Sequence, residues 1–230
     1  EILTGGASLG QGFETTMAQI CANALGVDYQ RITVIHGQTN LIPYGIGAHA
    51  ARATVMTGSA VNVTALTLRT KALDLAAEML QLPADSLDIV DGTVIVTDKS
   101  SGPSITLAEI ARRNEEGLAA EDFHKTKESA FPYGIHFAVV KVDPETGSID
   151  VERFMVAYDV GCMVNEMLLE GQLVGGCIQG IGGALYEEFV YSDEGEPMAV
   201  TFADYMIPTL DRVPTVECMI TEDAPSPHNL

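Results

Sequence analysis

The sequence predicts an α+β chain, with mixed sheets and long helices arranged as two lobes. Two hairpin signals carry the first part of this expectation. Asp91-Gly92 stands between short β-branched runs, and Asp143-Pro144-Glu145-Thr146-Gly147 stands between two longer ones. The second observation is that helical spacing alternates with short strands along the whole chain. The third is a polar, acidic and irregular stretch over residues 114–134, which reads as a surface connector. It suggests lobes over residues 1–120 and 121–230.

At the start of the chain, Ile2-Leu3-Thr4 reads as the end of a strand. Met17, Ile20, Cys21, Ala24 and Leu25 recur at helical spacing, so a helix is expected over residues 14–25, served at its start by Glu14 or Thr15. Gly26 is the expected left-handed residue after it. A β-branched run at residues 32–35 predicts a strand. Residues 36–54 are too glycine-rich and irregular for a core element, and they lead into a long helix over 55–80. Small residues along that helix, among them Gly58, Ser59, Ala60, Ala72 and Ala76, permit close packing.

After the first hairpin, Thr106 followed by Glu109 is a capping box for a short helix over 107–113. His124, in the connector, is expected to be solvated. The second half opens with the long hairpin, strands 134–142 and 149–158, where His136 is expected on a sheet face or in the core. A loop at 159–165 feeds a helix over 168–188. Residues 191–197 read as a turn between short strands, and 216–220 as a last strand. Asp204 and Tyr205 either fix a loop or close a ligand region.

Composition removes several function classes. Across 230 residues, 32 acidic side chains face 12 basic ones, a net charge of −20, which suits neither nucleic acid nor an anionic membrane. Apolar residues make up 47%, enough for real cores, yet no run is long enough to span a bilayer. Cys21, Cys162, Cys177 and Cys218 form neither a CxxC pair nor a zinc pattern, so buried reduced thiols in a cytoplasmic protein are expected. His36, His49, His124, His136 and His228 lack metal-ligand spacing. No nucleophile–base arrangement, paired carboxylates or dinucleotide fingerprint stands out. Catalytic residues and metal ligands are therefore assigned to none.

Two stretches point instead to a bound ligand. Gly5-Gly6-Ala7-Ser8 and then Gly10-Gln11-Gly12 open a helix. This is either an ordinary glycine turn or an anion seat, where helix-end N–H groups and the Gln11 amide meet a planar polar group. Gln172, Gly175, Gly176, Gln179 and Gly183 lie about one turn apart on a later helix. That small, polar face suits either helix–helix packing or close approach of a ligand.

Residues 10–20, from Gly10-Gln11-Gly12-Phe13-Glu14-Thr15-Thr16 onward, resemble a pterin-contacting segment of molybdenum hydroxylase large subunits. This is the family of xanthine dehydrogenase, aldehyde oxidase and aerobic carbon monoxide dehydrogenase. Asn165-Glu166 through Gly171-Gln172 and on to Gly182-Gly183-Ala184 resembles the family's other pterin-side segment. Asp204-Tyr205-Met206-Ile207-Pro208-Thr209 and Ser226-Pro227-His228-Asn229 resemble the family's sequence downstream of that segment. The local sequence is most similar to the carbon-monoxide-dehydrogenase-like branch.

The resemblance implies a molybdenum–molybdopterin cofactor, in the cytosine dinucleotide form, contacted by Gly10, Gln11, Gly12, Ala48, Ala50, Ala51 and Gln172. At Ala48 and Ala51 the sequence departs from the Thr and Ser usual in the family, each change removing a hydroxyl. Arg52 and His49 either take part in that loop's site or are ordinary surface residues. The implied reaction is hydroxylation of an aldehyde, purine or N-heterocycle with water-derived oxygen, or oxidation of carbon monoxide. Electrons are then expected to leave through 2Fe-2S centres to FAD on partner subunits or domains. The remaining portion of the large subunit, an iron–sulfur subunit, an FAD subunit and a small-molecule substrate are the implied partners. The family's glutamate base is expected beyond Leu230, so this chain, which reads as cut at both ends, is expected to be inactive alone. A non-catalytic structural or assembly domain of the same fold is the alternative. An apolar or glycine-rich surface, covered by other parts of the enzyme, is expected as well.

Overall fold

The computed structural model describes residues 1–97, 102–126 and 131–225. The Ser226-Pro227-His228-Asn229 segment lies outside the described residues. The chain divides into two compact units, the first through Phe131 and the second over Pro132–Pro225. Both combine helices with small sheets, as an α+β chain should. Among the described residues, no helix is long and apolar enough to cross a membrane.

In the first unit, β1 (Ile2–Leu3) pairs in parallel with β2 (Val34–Ile35). The expected strand start at Ile32 is lost to a neighbouring turn. Asp28 caps a 3₁₀ turn at Tyr29–Arg31 by accepting the Gln30 N–H, and the Ile32 amide is spent on the Tyr29 carbonyl at 3.1 Å. Helix α1 (Phe13–Leu25) buries Phe13, Met17, Ile20, Cys21, Ala24 and Leu25 and ends on Gly26 at φ 79°.

Its partner is α2 (Ser59–Leu80), whose buried Val61, Ala65, Ala72 and Ala76 keep the two helices close. The regular helix expected from residue 55 is preceded by a π-helical turn, Ala53–Gly58. Just after it, the Ser59 hydroxyl oxygen, in a residue 3% exposed, has no partner among the described residues.

The hairpin of β3 (Leu87–Val90) and β4 (Thr93–Val96) turns on Asp91 and Gly92, both at positive φ, as a primed turn requires. A strand not expected from the sequence, β5 (Ile105–Thr106), adds to β4. Helix α3 (Leu107–Arg113) has the expected capping box: the Thr106 hydroxyl accepts the Glu109 N–H, and the Glu109 carboxylate accepts the Thr106 N–H at 3.1 Å. The acidic stretch after α3 is held onto α2. Thr67 donates to Asp122 at 3.1 Å, and Lys71 donates to the Ala119 carbonyl. Contrary to the solvated position expected for it, His124 buries its Nε2, which has no partner among the described residues.

In the second unit, β6 (Tyr133–Val142) and β7 (Ile149–Asp159) form the expected antiparallel hairpin, with a bulge between Val139 and Val140. Helix α4 (Glu166–Leu185) comes next, and β8 (Val216–Thr221) returns parallel to β7. A parallel neighbour needs such a crossover. One sheet face packs on α4, with Val156, Cys177 and Val216 as the buried centre and Phe154, Val174 and Ile178 around it. The opposite face is apolar and open: Ile135, Phe137 and Met219 are 58%, 56% and 64% exposed. His136 bonds the Tyr158 hydroxyl at 3.1 Å and lies 3.9 Å from the Cys177 thiol. Burial pushes that thiol's pKa up. Cys21 is buried too, but Cys162 is exposed, on the loop after β7, against the expectation of burial.

Helix α4 starts at Asn165, which caps the Leu168 N–H, and ends before residue 188 because Gly182 closes it. The Gly182 carbonyl takes the amides of Tyr186 and Glu187, and a Cβ there would overlap Glu187 and Pro208. Tyr205 donates to Glu187 at 2.6 Å, and Asp204 accepts from Thr201, so both side chains fix a loop. The short strands expected around residues 191–197 reduce to one bridge, Tyr191 with Pro197.

Adjacent glycines on α4 should respond with opposite signs. Gly182→Ala should cost about 1–3 kcal/mol through overpacking. Gly183→Ala, where an added Cβ meets nothing within 4 Å, should gain about 0.5–1 kcal/mol. Chemical denaturation of the two variants measures both; a loss of stability at both positions would contradict this packing.

Candidate cofactor-contacting segments

The first segment is built where two loops cross backbone on backbone. A Cβ at Gly5 would collide with the Tyr44 carbonyl and Gly45, and one at Gly45 would collide with Gly5. A Cβ at Gly6 would strike the Phe13 ring, so the loop lies directly over the buried start of α1. Gly10 and Gly12 both take left-handed backbone, at φ 95° and 76°, and Gly12 serves as a cap with no side chain of its own. An added Cβ at Gly10 meets nothing within 4 Å, so that part of the loop is open.

The Gln11 amide is turned onto its own loop. Its Oε1 accepts the Leu9 N–H at 2.5 Å, and its Nε2 donates to the Ala7 carbonyl at 3.1 Å. A primary amide has two donor hydrogens and two acceptor lone pairs, so half its capacity stays available to a ligand. The first turn of α1 adds backbone N–H groups without intrahelical partners.

Gly12 takes the cap position, and Glu14 serves the first turn by accepting its own backbone amide. Glu14 also gathers other donors: Ser8 Oγ donates to Oε2 at 3.0 Å, and His36 Nε2 lies 2.9 Å from Oε1. His36 sits just past β2 and meets the Phe13 ring edge-on at 5.3 Å. Its own backbone amide, then the His36 bond, hold the Glu14 carboxyl below the usual range, with Ser8 adding to the effect. Sequence reasoning missed this trio. The signal was an acid in the first helical turn and a histidine ending the next strand, but the fold had to join positions 22 residues apart.

Ala48, Ala50 and Ala51 lie on the loop that also contains Gly45, ahead of the π-helical turn. They carry no polar side-chain atom, so any contact to a ligand is through backbone or methyl. The loop is closed by the Arg52 backbone N–H donating to the His49 carbonyl at 3.2 Å and the Val55 backbone N–H donating to that of Ala51 at 3.1 Å. Ala50 holds φ 49°, a left-handed conformation that a side chain disfavours.

The second segment lies in the other unit, on the face of α4 turned away from the sheet. Gln172, Gly175, Gly176, Gln179 and Gly183 are all exposed there, while Cys177 and Ile181 face inward. A Cβ built at Gly171, Gly175, Gly176, Gly180 or Gly183 meets nothing within 4 Å. These glycines therefore pack against nothing in their own unit. They leave a flat strip beside the Gln172 amide.

The comparisons with known proteins define the class. The model of the molybdopterin cofactor-binding domain matches residues 1–214, and the chain belongs to that family. It is a molybdopterin-binding domain of the molybdenum hydroxylase type, as the resemblance implies. Among individual proteins, it is 39% identical over 99% of its length to the 6-hydroxypseudooxynicotine dehydrogenase complex subunit gamma of Paenarthrobacter nicotinovorans. It is 34% identical over 98% of its length to the carbon monoxide dehydrogenase large chain of Hydrogenophaga pseudoflava. The chain spans 30% and 29% of these two relatives. The solved quinoline 2-oxidoreductase of Pseudomonas putida 86 matches with a TM-score of 0.86 and 33% identity, over 99% of this chain and 30% of that one.

Each segment, taken by itself, offers groups that fit part of a phosphate-bearing pterin. Primary amides match the donor–acceptor edge of a pterin, helix-end amides suit phosphate oxygens, and the open glycine strip admits a flat ring.

This geometry has two measurable outcomes. Ala50→Gly should raise stability by about 0.5–1 kcal/mol, the relief of left-handed strain less the added chain entropy. A thermal melt checks it; an unchanged or lower melting temperature would contradict a strained Ala50. Because Glu14's folded pKa is depressed, its contribution is complete above the unfolded carboxyl range and is lost as pH falls through the folded value. The Glu14 side-chain carbon resonance should therefore titrate below the ordinary glutamate range, together with the Ser8 resonances. A midpoint at the ordinary value would argue against the three-donor arrangement.

Proposed function

We propose that this chain supplies the cofactor contacts of a molybdenum-dependent hydroxylase or dehydrogenase, through Gly10, Gln11 and Gly12 with the Ala48, Ala50 and Ala51 backbone in the first unit and through Gln172 in the second. The single observation that carries this is the exposed strip on α4, where glycines with open space in front of them flank an exposed glutamine. Packing within the unit does not require those glycines; a flat ligand does. When bound, the cofactor holds molybdenum through its dithiolene sulfurs and supplies two-electron oxidation of the substrate. The residues of this chain bind and orient. Gln172 would hold a pterin edge, and the amides at the start of α1 would hold phosphate, in the cytosine dinucleotide form of the cofactor.

The substrate class proposed first is a nitrogen heterocycle, because relatives at 39% and 33% identity are named for a hydroxylated nicotine derivative and for quinoline. Aldehydes, purines and carbon monoxide are the other members of the same reaction set. The chain spans about 30% of these relatives. The remaining portion of a large subunit is therefore the proposed cover for the open face around Ile135, Phe137 and Met219. An iron–sulfur subunit carrying 2Fe-2S and an FAD subunit in a cytoplasmic complex are the proposed electron acceptors.

A second reading keeps the fold without the cofactor. It is favoured by Ala48 and Ala51, where the hydroxyls usual in the family are missing.

Molybdenum content of the assembled enzyme separates the two. Gln172→Ala should lower occupancy, since each lost hydrogen bond is worth about 0.5–1.5 kcal/mol, or about 2- to 13-fold in affinity. Gly183→Ala should lower it as well by standing in the ring's place, although the variant is the more stable protein. An unaltered assembled enzyme without molybdenum would favour the cofactor-free reading, and full occupancy in both variants would remove Gln172 and the glycine strip from the site.

A further inference from the structure

The geometry points to Glu14 as the positioning residue of the glycine loop: its carboxylate ties Ser8, ahead of Gly10 and Gly12, to His36 beyond β2, and so sets the shape in which the loop meets its ligand. The inference rests on the cofactor reading above and assigns a residue that the resemblance leaves without a role.

The loop has little else to define it between Ser8 and Phe13. Gly10 and Gly12 are free to visit conformations closed to other residues, and Gly12 caps α1 without a side chain. Among the described residues, the Gln11 amide bonds Ala7 and Leu9, within the loop itself. The crossing of Gly5 with Gly45 fixes the loop upstream of Ser8. The Ser8–Glu14 bond spans the two glycines and closes the stretch into a ring. The His36–Glu14 bond then anchors that ring to the strand end, with the His36 ring steadied edge-on by Phe13, itself 2% exposed.

The carboxylate's chemistry agrees with holding rather than reacting. Both oxygens already accept hydrogen bonds, and the donors make Glu14 a weaker base than a free glutamate. Ser8, His36 and its own backbone amide hold the carboxylate in place, and its lowered pKa keeps it ionised in that role.

The experiment compares Glu14→Ala and Glu14→Gln in the assembled enzyme, by hydrogen exchange of the cofactor-free form and by molybdenum content of the loaded form. Hydrogen bonds to a charged group are strong enough that losing both should speed exchange over residues 8–13 by about tenfold or more, with α2 and the β3–β4 hairpin unchanged. Gln keeps a carbonyl oxygen for Ser8 and an amide for His36, so it should restore much of the protection and much of the lost molybdenum. Unchanged exchange in Glu14→Ala overturns the inference. So does loosening of the whole unit, a Gln variant as loose as Ala, or a loosened loop with unchanged molybdenum content. Failure of the cofactor reading shows elsewhere: Gln11→Ala and Gln172→Ala would both keep full molybdenum, whatever the exchange of the Glu14 variants.

Discussion

The first unit depends on one backbone lying directly on another, at Gly5 and Gly45. Any side chain at either position would occupy the other's main chain. This contact joins the glutamine loop to the loop bearing Ala48, Ala50 and Ala51. It also leaves Gly6 against the Phe13 ring, which is the buried foot of α1. The second unit uses glycine differently. On α4, Gly182 is filled by its own unit, whereas Gly175, Gly176 and Gly183 face open space. The same residue type closes one surface and keeps another clear. The distinction is made by what an added Cβ would meet.

A chain with a net charge of −20 that binds a phosphate-bearing cofactor must do so without a pool of cations. In the function proposed above, dipoles serve instead. Helix-end amides, loop amides and glutamine side chains offer donors whose strength does not depend on net charge. They act at short range, so a nearby bare carboxylate would cancel them. Glu14 stays ionised but is not bare, its carboxylate being held by Ser8, His36 and its own amide.

Local signals in the sequence were reliable guides where a few neighbouring residues decide the structure. Gly26 ends α1, Asp91-Gly92 makes the primed turn, and Thr106 with Glu109 forms the capping box, all through contacts within a few positions. The features that were not legible depend on distant partners. Strand β5 exists only because β4 offers an edge, and β8 lies beside β7 after a long crossover. The π-helical turn ahead of α2 has no signature in the run Ala53-Thr54-Val55-Met56. Of the candidate site, the two glutamine segments were proposed through family resemblance, and the open glycine face of α4 was legible through its spacing. The inward turn of the Gln11 amide was not, because Ala7 and Leu9 become its partners only once Gly10 bends the loop.

The central claim, a proposal, is that the glutamine loop and the glycine strip of α4 each contact a molybdopterin cofactor. Hydrogen exchange of the assembled enzyme, with cofactor and stripped of it, tests this most directly. The account predicts that cofactor slows exchange at residues 8–13 and at residues 168–183, with little change in the β3–β4 hairpin or β6. Protection confined to one of these segments, or absent from both in an enzyme that retains its molybdenum, would contradict it.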